Sequence, residues 1–357
     1  AAVRRECLAA RDGVALFDAS TLGKIEVSGP DAARFLDRIY INRWQNLAVG
    51  HCRYGIMCRD DGMVFDDGVV TRLAPDRFFL TTTTGNAAAV LDWLEEWLQT
   101  EWPELDVFCT SVTEEWANAT LVGWAARDVL TRLAPDLALD SAAFPHMTMR
   151  MANIGGIPAR IFRVSFSGEL SYEINVPADQ GLELWEQLIA VGELFGITPY
   201  GTEAMHVMRA EKGFIIVGQE TDGSVTPVDL GFGGLISRDK DFLGRRSLAR
   251  SDIARSDRKQ LVGLLPENPN EVIPEGAALV DVVPADRRVA GPHPGMIGHV
   301  TSSYVGARIG RSFALALVNH GRGRYGERVW SPMPDGAFAA RICGPVFYDP
   351  ENARRDG

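Results

Sequence analysis

The sequence predicts an α+β protein of two related, interleaved lobes followed by an all-β domain, and three features carry that expectation. A strand, a glycine turn and an amphipathic helix occur twice: the run from Val27 to Leu36 is echoed by the run from Leu121 to Leu130. A looser echo relates residues 71–97 to 160–195, each reading as strand, turn, strand and long helix. From Gln260 onward no helical periodicity persists, and short apolar runs alternate with Gly/Pro turns, as in a barrel or a sandwich. The expected boundaries are 1–255 for the two lobes and 260–357 for the β domain.

Residues 1–12 have helical periodicity from the first residue, which reads as the middle of an amphipathic helix, so a piece of a longer polypeptide is expected. Val14 to Asp18 is extended, and Lys24 to Val27 alternates as a strand. Pro30 sits near the first position of a helix whose apolar face is Ala32, Phe35, Leu36 and Ile39. Asp60-Asp61-Gly62 is a turn between two apolar runs and predicts a hairpin. Arg77 to Thr84 is a strand, and Asn86 is positioned to cap a helix that Pro103 stops. A second hairpin turns at Ser167-Gly168-Glu169 between Arg160–Ser165 and Leu170–Val176, and Pro177 opens a helix through Leu184, Trp185, Leu188 and Val191. Gly201 to Lys212 is helical, and a short helix surrounds Ser247 to Ala249. Asp229 to Gly234 is glycine-rich but lacks the GxGxxG spacing of a dinucleotide site. In the last domain the strand-like runs are Leu261–Leu265, Ala277–Val283, Met296–Val305, Phe313–Val318, Arg328–Trp330 and Phe338–Cys343.

The 357 residues are 46% hydrophobic and 23% charged, with a net charge of −11. An acidic protein has no electrostatic reason to bind nucleic acid or an anionic membrane, and no apolar run reaches transmembrane length. The five cysteines are scattered without a CxxC, which fits a reducing cytoplasm and buried, inert thiols. His51-Cys52 with Cys58 lacks the second ligand cluster that a metal centre needs.

The candidate chemistry lies on the two hairpins. Asp66 and Asp67 fall inside the second strand of the first hairpin, where aspartate is depleted. Side chains alternate, so one carboxylate faces outward and the other faces a cleft or core, where it is costly unless something uses it. A strand end with a solvated bulge at Gly68 is the plain alternative. In the second hairpin Tyr172 and Ile174 share one face, while Ser171, Glu173 and Asn175 share the other. Tyr172 reads as core, Glu173 as a carboxylate acceptor or a rim residue, and Tyr54 as a packing aromatic able to stack on a ring. Arg209 and Glu211 lie two apart on one helix and do not face each other; His206 reads as structural.

The phrase Ser165-Phe-Ser-Gly-Glu-Leu-Ser-Tyr-Glu-Ile-Asn-Val-Pro177 resembles the signature of the aminomethyltransferase family, the glycine-cleavage T-protein and its relatives. So does the order of Gly62-Met-Val-Phe-Asp-Asp67, Arg209-Ala-Glu211, Thr226-Pro-Val-Asp229, Asp241-Phe-Leu-Gly244 and Gly298-His-Val-Thr-Ser302, across nearly the whole chain. Within that family the wording is similar to the folate domain at the C-terminal end of heterotetrameric sarcosine oxidase alpha subunits. The shared phrases include Phe17-Asp-Ala-Ser-Thr-Leu-Gly-Lys24 and Met208-Arg-Ala-Glu-Lys-Gly-Phe-Ile-Ile-Val-Gly-Gln219.

The resemblance implies a three-lobed cloverleaf, its two α+β lobes and C-terminal β-barrel surrounding a channel for tetrahydrofolate. It implies Asp67 as the catalytic carboxylate and Glu173 as the pterin acceptor, with Tyr54, Arg209 and Asp66 as further cofactor-binding candidates. It implies transfer of a methylene group to tetrahydrofolate from the imine made by oxidising sarcosine, giving glycine and 5,10-methylenetetrahydrofolate. Any flavin belongs to partner subunits or to missing parts of the chain. The implied partners are a small N-methyl amine or imine and flavin-bearing oxidase subunits. T-proteins carry an Arg where this chain has Met205. The alternatives are a T-protein or a folate-dependent demethylase and, from another class, a non-catalytic folate-binding assembly module.

Overall fold

The computed structural model describes residues 1–283, 295–334 and 336–357. Helix α1 (Ala2–Asp12) leads into strand β1 (Ala15–Asp18), β2 (Gly23–Ser28) and α2 (Ala32–Ile39). The first hairpin is β3 (Cys52–Cys58) and β4 (Val64–Ala74); β5 (Arg77–Thr82), α3 (Ala87–Thr100) and β6 (Phe108–Ser111) follow. Next come β7 (Trp116–Val122), α4 (Ala126–Leu133), β8 (Met149–Ile154), β9 (Ile157–Phe162), β10 (Ser171–Pro177), α5 (Gly181–Gly192), β11 (Thr198–Pro199), α6 (Thr202–Glu211) and α7 (Arg245–Leu248). The last part holds β12 (Lys259–Pro266), β13 (Ala278–Val280), β14 (Met296–Val305), β15 (Ser312–Asn319), β16 (Arg328–Met333), β17 (Gly336–Cys343) and α8 (Ala353–Asp356).

Two open sheets and one closed barrel result. The first lobe has five strands in the order β3-β4-β5-β2-β6, and the second has six in the order β11-β1-β7-β10-β9-β8. The lobes interleave at the start of the chain, because β1 pairs with β7 and β11 of the second sheet while β2 enters the first. Each sheet buries one face under its own helices. Phe35, Leu36, Val90 and Leu94 cover Val27, Val70 and Leu80 in lobe one; Val129, Leu130, Leu184 and Leu188 cover Leu121, Tyr172 and Ile174 in lobe two. The opposite faces meet. Cys52, Phe79, Met149, Phe162 and Val164 form a smaller apolar cluster between the sheets. The barrel closes in the order β12-β15-β14-β13-β16-β17, around Val262, Leu264, Val300, Ala316 and Ile342.

The expected echo is real at its tightest point. Gly29 and Gly123 each turn a strand into a helix at positive φ (127° and 114°), and a Cβ on either would fall within 2.3 Å of a backbone oxygen. Differences from expectation are local. Strands β6 and β8 and helix α8 lack a clear period in sequence, and β9 begins at Ile157 rather than Arg160. Gly68 is not a solvated bulge. It pairs with Gly55 in a continuous ladder, and the irregularity lies between Met57 and Cys58. A Cβ at Gly68 would stand 1.9 Å from the carbonyl oxygen of Thr81, so only glycine lets β4 and β5 approach here.

Candidate active site between the lobes

Register decides which side chains look into the space between the sheets. Lys24 on β2 pairs with Thr81 on β5, and Tyr54 on β3 pairs with Val69 on β4. Asp67, Val69 and Thr71 share one face of β4 by alternation. On the opposing sheet Glu173 of β10 pairs with Thr120 of β7 and Phe162 of β9, and Asn175 pairs with Asn118 and Arg160. These two faces enclose a cavity of about 10 Å³ lined by Val69, Thr71, Phe79, Thr81, Phe162, Val164, Glu173 and Asn175.

The aspartates divide as alternation requires, but neither lies in open water. Asp66 is fully buried on the helix side, where the Thr83 amide and the Asn86 side-chain amide each donate to it at 3.2 Å. Asn86 precedes α3 as expected, yet its side chain serves Asp66 and the carbonyl of Phe65 rather than capping the helix. Burial raises Asp66 to about 6, against these hydrogen bonds. Asp67 is half-buried on the cleft side, and Tyr54 Oη donates to its Oδ2 at 2.5 Å. Burial pushes Asp67 up to about 7, opposed by the Tyr54 bond and helped by the neighbouring Asp66 charge. The Tyr54 ring leans on Phe232 with centroids 5.6 Å apart, and burial drives its phenol well above the ordinary value.

Glu173 is half-buried and accepts a 3.4 Å bond from Asn118 Nδ2. Burial raises it, while the Asn118 bond and the charge of Lys24 pull it back. Lys24 is itself buried; its ammonium donates to the carbonyls of Ser20 (2.8 Å) and Leu22 (3.0 Å), and burial lowers its pKa. Alternation within Lys24–Val27 reveals the strand but not that both its faces are covered, so Lys24 escapes a reading of residues alone.

Arg209 is the departure. It is neither on a solvated helix face nor open to a ligand. Its guanidinium is fully buried, donating to Glu220 (2.7 Å), Gln219 (2.5 Å), Ser302 (2.7 Å) and the Phe214 carbonyl (3.0 Å). It ties α6 to the polar loop after it and to the barrel. Glu211 turns elsewhere, accepting from Arg11 at 2.6 Å; Arg11 also donates to Glu169 of the signature turn at 3.0 Å. Met205 packs against the apolar cluster of Tyr200, Ala204 and Met208. Tyr172 is core, as expected. His206 is half-buried, and burial lowers its pKa.

A larger open cavity of about 410 Å³ adjoins the Tyr54 strand, lined by Asn42, Arg43, Asn46, Arg53 and residues 234–239. Asn42 Nδ2 donates to the Tyr54 carbonyl (3.1 Å), and Arg43 pairs with Asp239 at 2.7 Å. Among the described residues no cluster of His, Cys, Asp or Glu could hold a metal ion, and no helix is long and apolar enough to cross a membrane.

Residues 1–240 match the family described as the GCVT N-terminal domain, and residues 259–349 match the glycine cleavage T-protein C-terminal barrel domain. The chain belongs to the glycine-cleavage T-protein family. It is an aminomethyltransferase-type enzyme domain. It is 54% identical over 359 residues to the sarcosine oxidase subunit alpha of Corynebacterium sp. (strain U-96), covering 100% of this chain and 37% of that one. The sarcosine oxidase subunit alpha of Rhizobium meliloti (strain 1021) is 42% identical, covering 99% of this chain and 36% of the relative. The aminomethyltransferase of Symbiobacterium thermophilum is 30% identical, covering 97% and 89%. The chain therefore spans little more than a third of the alpha subunits it resembles, and nearly the whole of the T-proteins. The fold superposes on the crystal structure of the glycine cleavage aminomethyltransferase T of Bartonella henselae with a TM-score of 0.82, at 24% identity and 97% coverage of this chain.

Proposed function

We propose that this T-protein-family domain transfers a methylene group to tetrahydrofolate from the imine of an oxidised N-methyl amine, with sarcosine as the amine and Asp67 as the catalytic carboxylate. The observation that carries the reading is Asp67 itself: a carboxylate on the cleft face of β4, held by Tyr54 Oη and raised to about 7. A group poised near neutrality accepts and returns a proton with little loss in either direction.

The residues fit tetrahydrofolate. A pterin presents two adjacent N–H donors, and Glu173 is a half-buried carboxylate that, among the described residues, accepts one weak side-chain bond, from Asn118 Nδ2. Lys24 across the cleft favours the ionised form of Glu173. The second cavity offers Arg53 and Arg238 to the carboxylates of a glutamyl tail, a role the committed guanidinium of Arg209 cannot fill. When bound, tetrahydrofolate supplies the nucleophilic nitrogens that take up the carbon. Asp67 would take up and pass on a proton at its carboxylate as each of the two nitrogens gives up its N–H, and the departing amine would receive those protons as its C–N bond breaks. Tyr54 fixes the rotamer of that carboxylate, whose negative charge also stabilises positive charge developing at the iminium carbon. The apolar contacts of Phe79, Val69 and Phe162 exclude water from the cleft wall, so the carbon is less readily lost as formaldehyde.

Met205 suits a small imine rather than an aminomethyl-lipoyl donor, because the arginine expected in T-proteins is replaced here by an apolar side chain packed against the core. The flavin that oxidises the amine belongs, in this reading, to partner subunits or to polypeptide beyond these residues. Titration with tetrahydrofolate, followed by a coupled assay for methylenetetrahydrofolate with sarcosine and the flavin subunits, tests it. No detectable folate binding removes it; product from an aminomethyl-lipoyl carrier but not from sarcosine moves the chain to the T-protein reaction.

A further inference from the structure

The residue next to Glu173 on the same face of β10 has no assigned role. Asn175 is 1% exposed and lines the cavity between the sheets together with Glu173. Its backbone is held in the sheet on both sides, paired with Asn118 and Arg160. Its side-chain amide has no partner among the described residues, and Oδ1 is a buried acceptor left without a donor. Asn118, opposite it, is spent on Glu173 and Thr120. Thr81 is spent on the backbone of Val69, and Thr71 on Cys52. Asn118, Thr71 and Thr81 are satisfied and the amide is not; on the other side of Glu173 the Ser171 Oγ is likewise buried without a partner. A buried polar group without a partner is destabilising, and native proteins keep few of them.

We infer that Asn175 is a second pterin-reading residue, its amide and the Glu173 carboxylate projecting from one strand face into one cavity to receive the polar edge of the ring. This inference rests on the folate reading above. Glu173 accepts the two N–H groups of the amino-pyrimidinone edge. Asn175 Oδ1, the acceptor left without a donor, takes the remaining N–H of the exocyclic amino group, which the two bonds to Glu173 leave free. The space is about 10 Å³, enough for one polar group at the end of a ligand and not for a whole ring, so only the edge enters. The side chains sit two residues apart on a strand, about 7 Å in rise, which matches the short span of such an edge.

The test is calorimetric titration of the native protein and of Asn175→Leu and Asn175→Ala with tetrahydrofolate and with a tail-less tetrahydropterin, beside thermal melting without ligand. The expected result is binding weakened about ten- to a hundredfold for both ligands, by the same factor, because the lost contact is on the ring. The melting temperature without ligand stays the same or rises, because an unpaired amide has been removed. Unchanged affinity with raised melting temperature would make the amide a hydrated structural group and overturn the inference. So would a loss seen with the full folate but not with the tail-less ring. If the unmodified protein binds neither ligand, the folate reading fails and takes this one with it; if it binds and the variants bind equally, only the inference fails.

Discussion

Asp67 owes its proton affinity to strand geometry. It stands beside the buried Asp66 and the Tyr54 phenol, with protein on most sides, and burial above all raises it to about 7, the range the proposed proton-transfer role requires. Asp67→Asn should therefore lower kcat on the order of 10²–10⁴-fold while leaving tetrahydrofolate affinity nearly unchanged, measured by the coupled assay and by titration. The rate should rise with pH on a limb centred near 7, and Tyr54→Phe should move that limb upward, because the bond it removes favours the charged carboxylate. Stability should run the other way. Asp66 and Asp67 keep their protons in the folded state up to about 6 and about 7, whereas an unfolded Asp loses its proton near 4. The folded protein then binds more protons across that window, so stability declines as pH rises from about 4 to about 7. Melting temperatures across that range should show the decline, and Asp67→Asn should flatten it. A carboxylate inside an apolar strand is visible in the sequence as a conflict, which marks Asp66 and Asp67 as a pair, and the family resemblance is what proposes Asp67 and Glu173 for the site. The sequence could not show that Arg209 is buried, since a helix period does not reveal which loop folds over the far side of the helix.

Elements set these side chains by backbone approach as much as by packing. The contact of β4 with β5 depends on Gly68, where a methyl group would meet the Thr81 carbonyl. Gly68→Ala should cost about 1–3 kcal/mol by overpacking and reduce kcat by shifting Asp67, one residue away; denaturant melts and the coupled assay check both. Helix α1 carries the second such device. Arg11 is fully buried and holds Glu169 of the signature turn and Glu211 of α6, with Tyr348 stacked 4.0 Å from its guanidinium and donating to Glu169. Arg11→Leu leaves the buried Glu211 without its cation, while Glu169 keeps Arg354 at 3.0 Å, and should destabilise the protein by about 3–5 kcal/mol, read as a fall in the denaturation midpoint. The hairpins, the long helices and the barrel strands were legible because their apolar periods are strong. Strands β6 and β8 were not, because they lie at sheet edges where Phe108 and Met151 face outward and the alternation is lost. Asn175 was legible as a face-mate of Glu173, but its lack of a partner is a property of the assembled cleft.

At the scale of the whole molecule, the two sheets meet face to face around an apolar seam, with the Arg160–Glu26 pair reaching across it. Glu26 of lobe one accepts from Arg77 and, across the seam at 2.9 Å, from Arg160, whose guanidinium lies 3.9 Å over Trp116. Arg160→Met should loosen that contact, raising KM for folate more than it lowers kcat, because the cleft walls hold the ligand while Asp67 stays on its own strand. The interleaving of the lobes has a different consequence, for synthesis. Strand β1 precedes the first lobe in the chain, yet its neighbours are β7 and β11, which leave the ribosome only after that entire lobe. During translation an apolar Ala15-Leu16-Phe17 segment must stay unpaired while the chain between grows, a long-range closure of the kind that slows folding and invites aggregation. A nascent chain stalled before Trp116 would thus expose an orphan edge until its mates emerge.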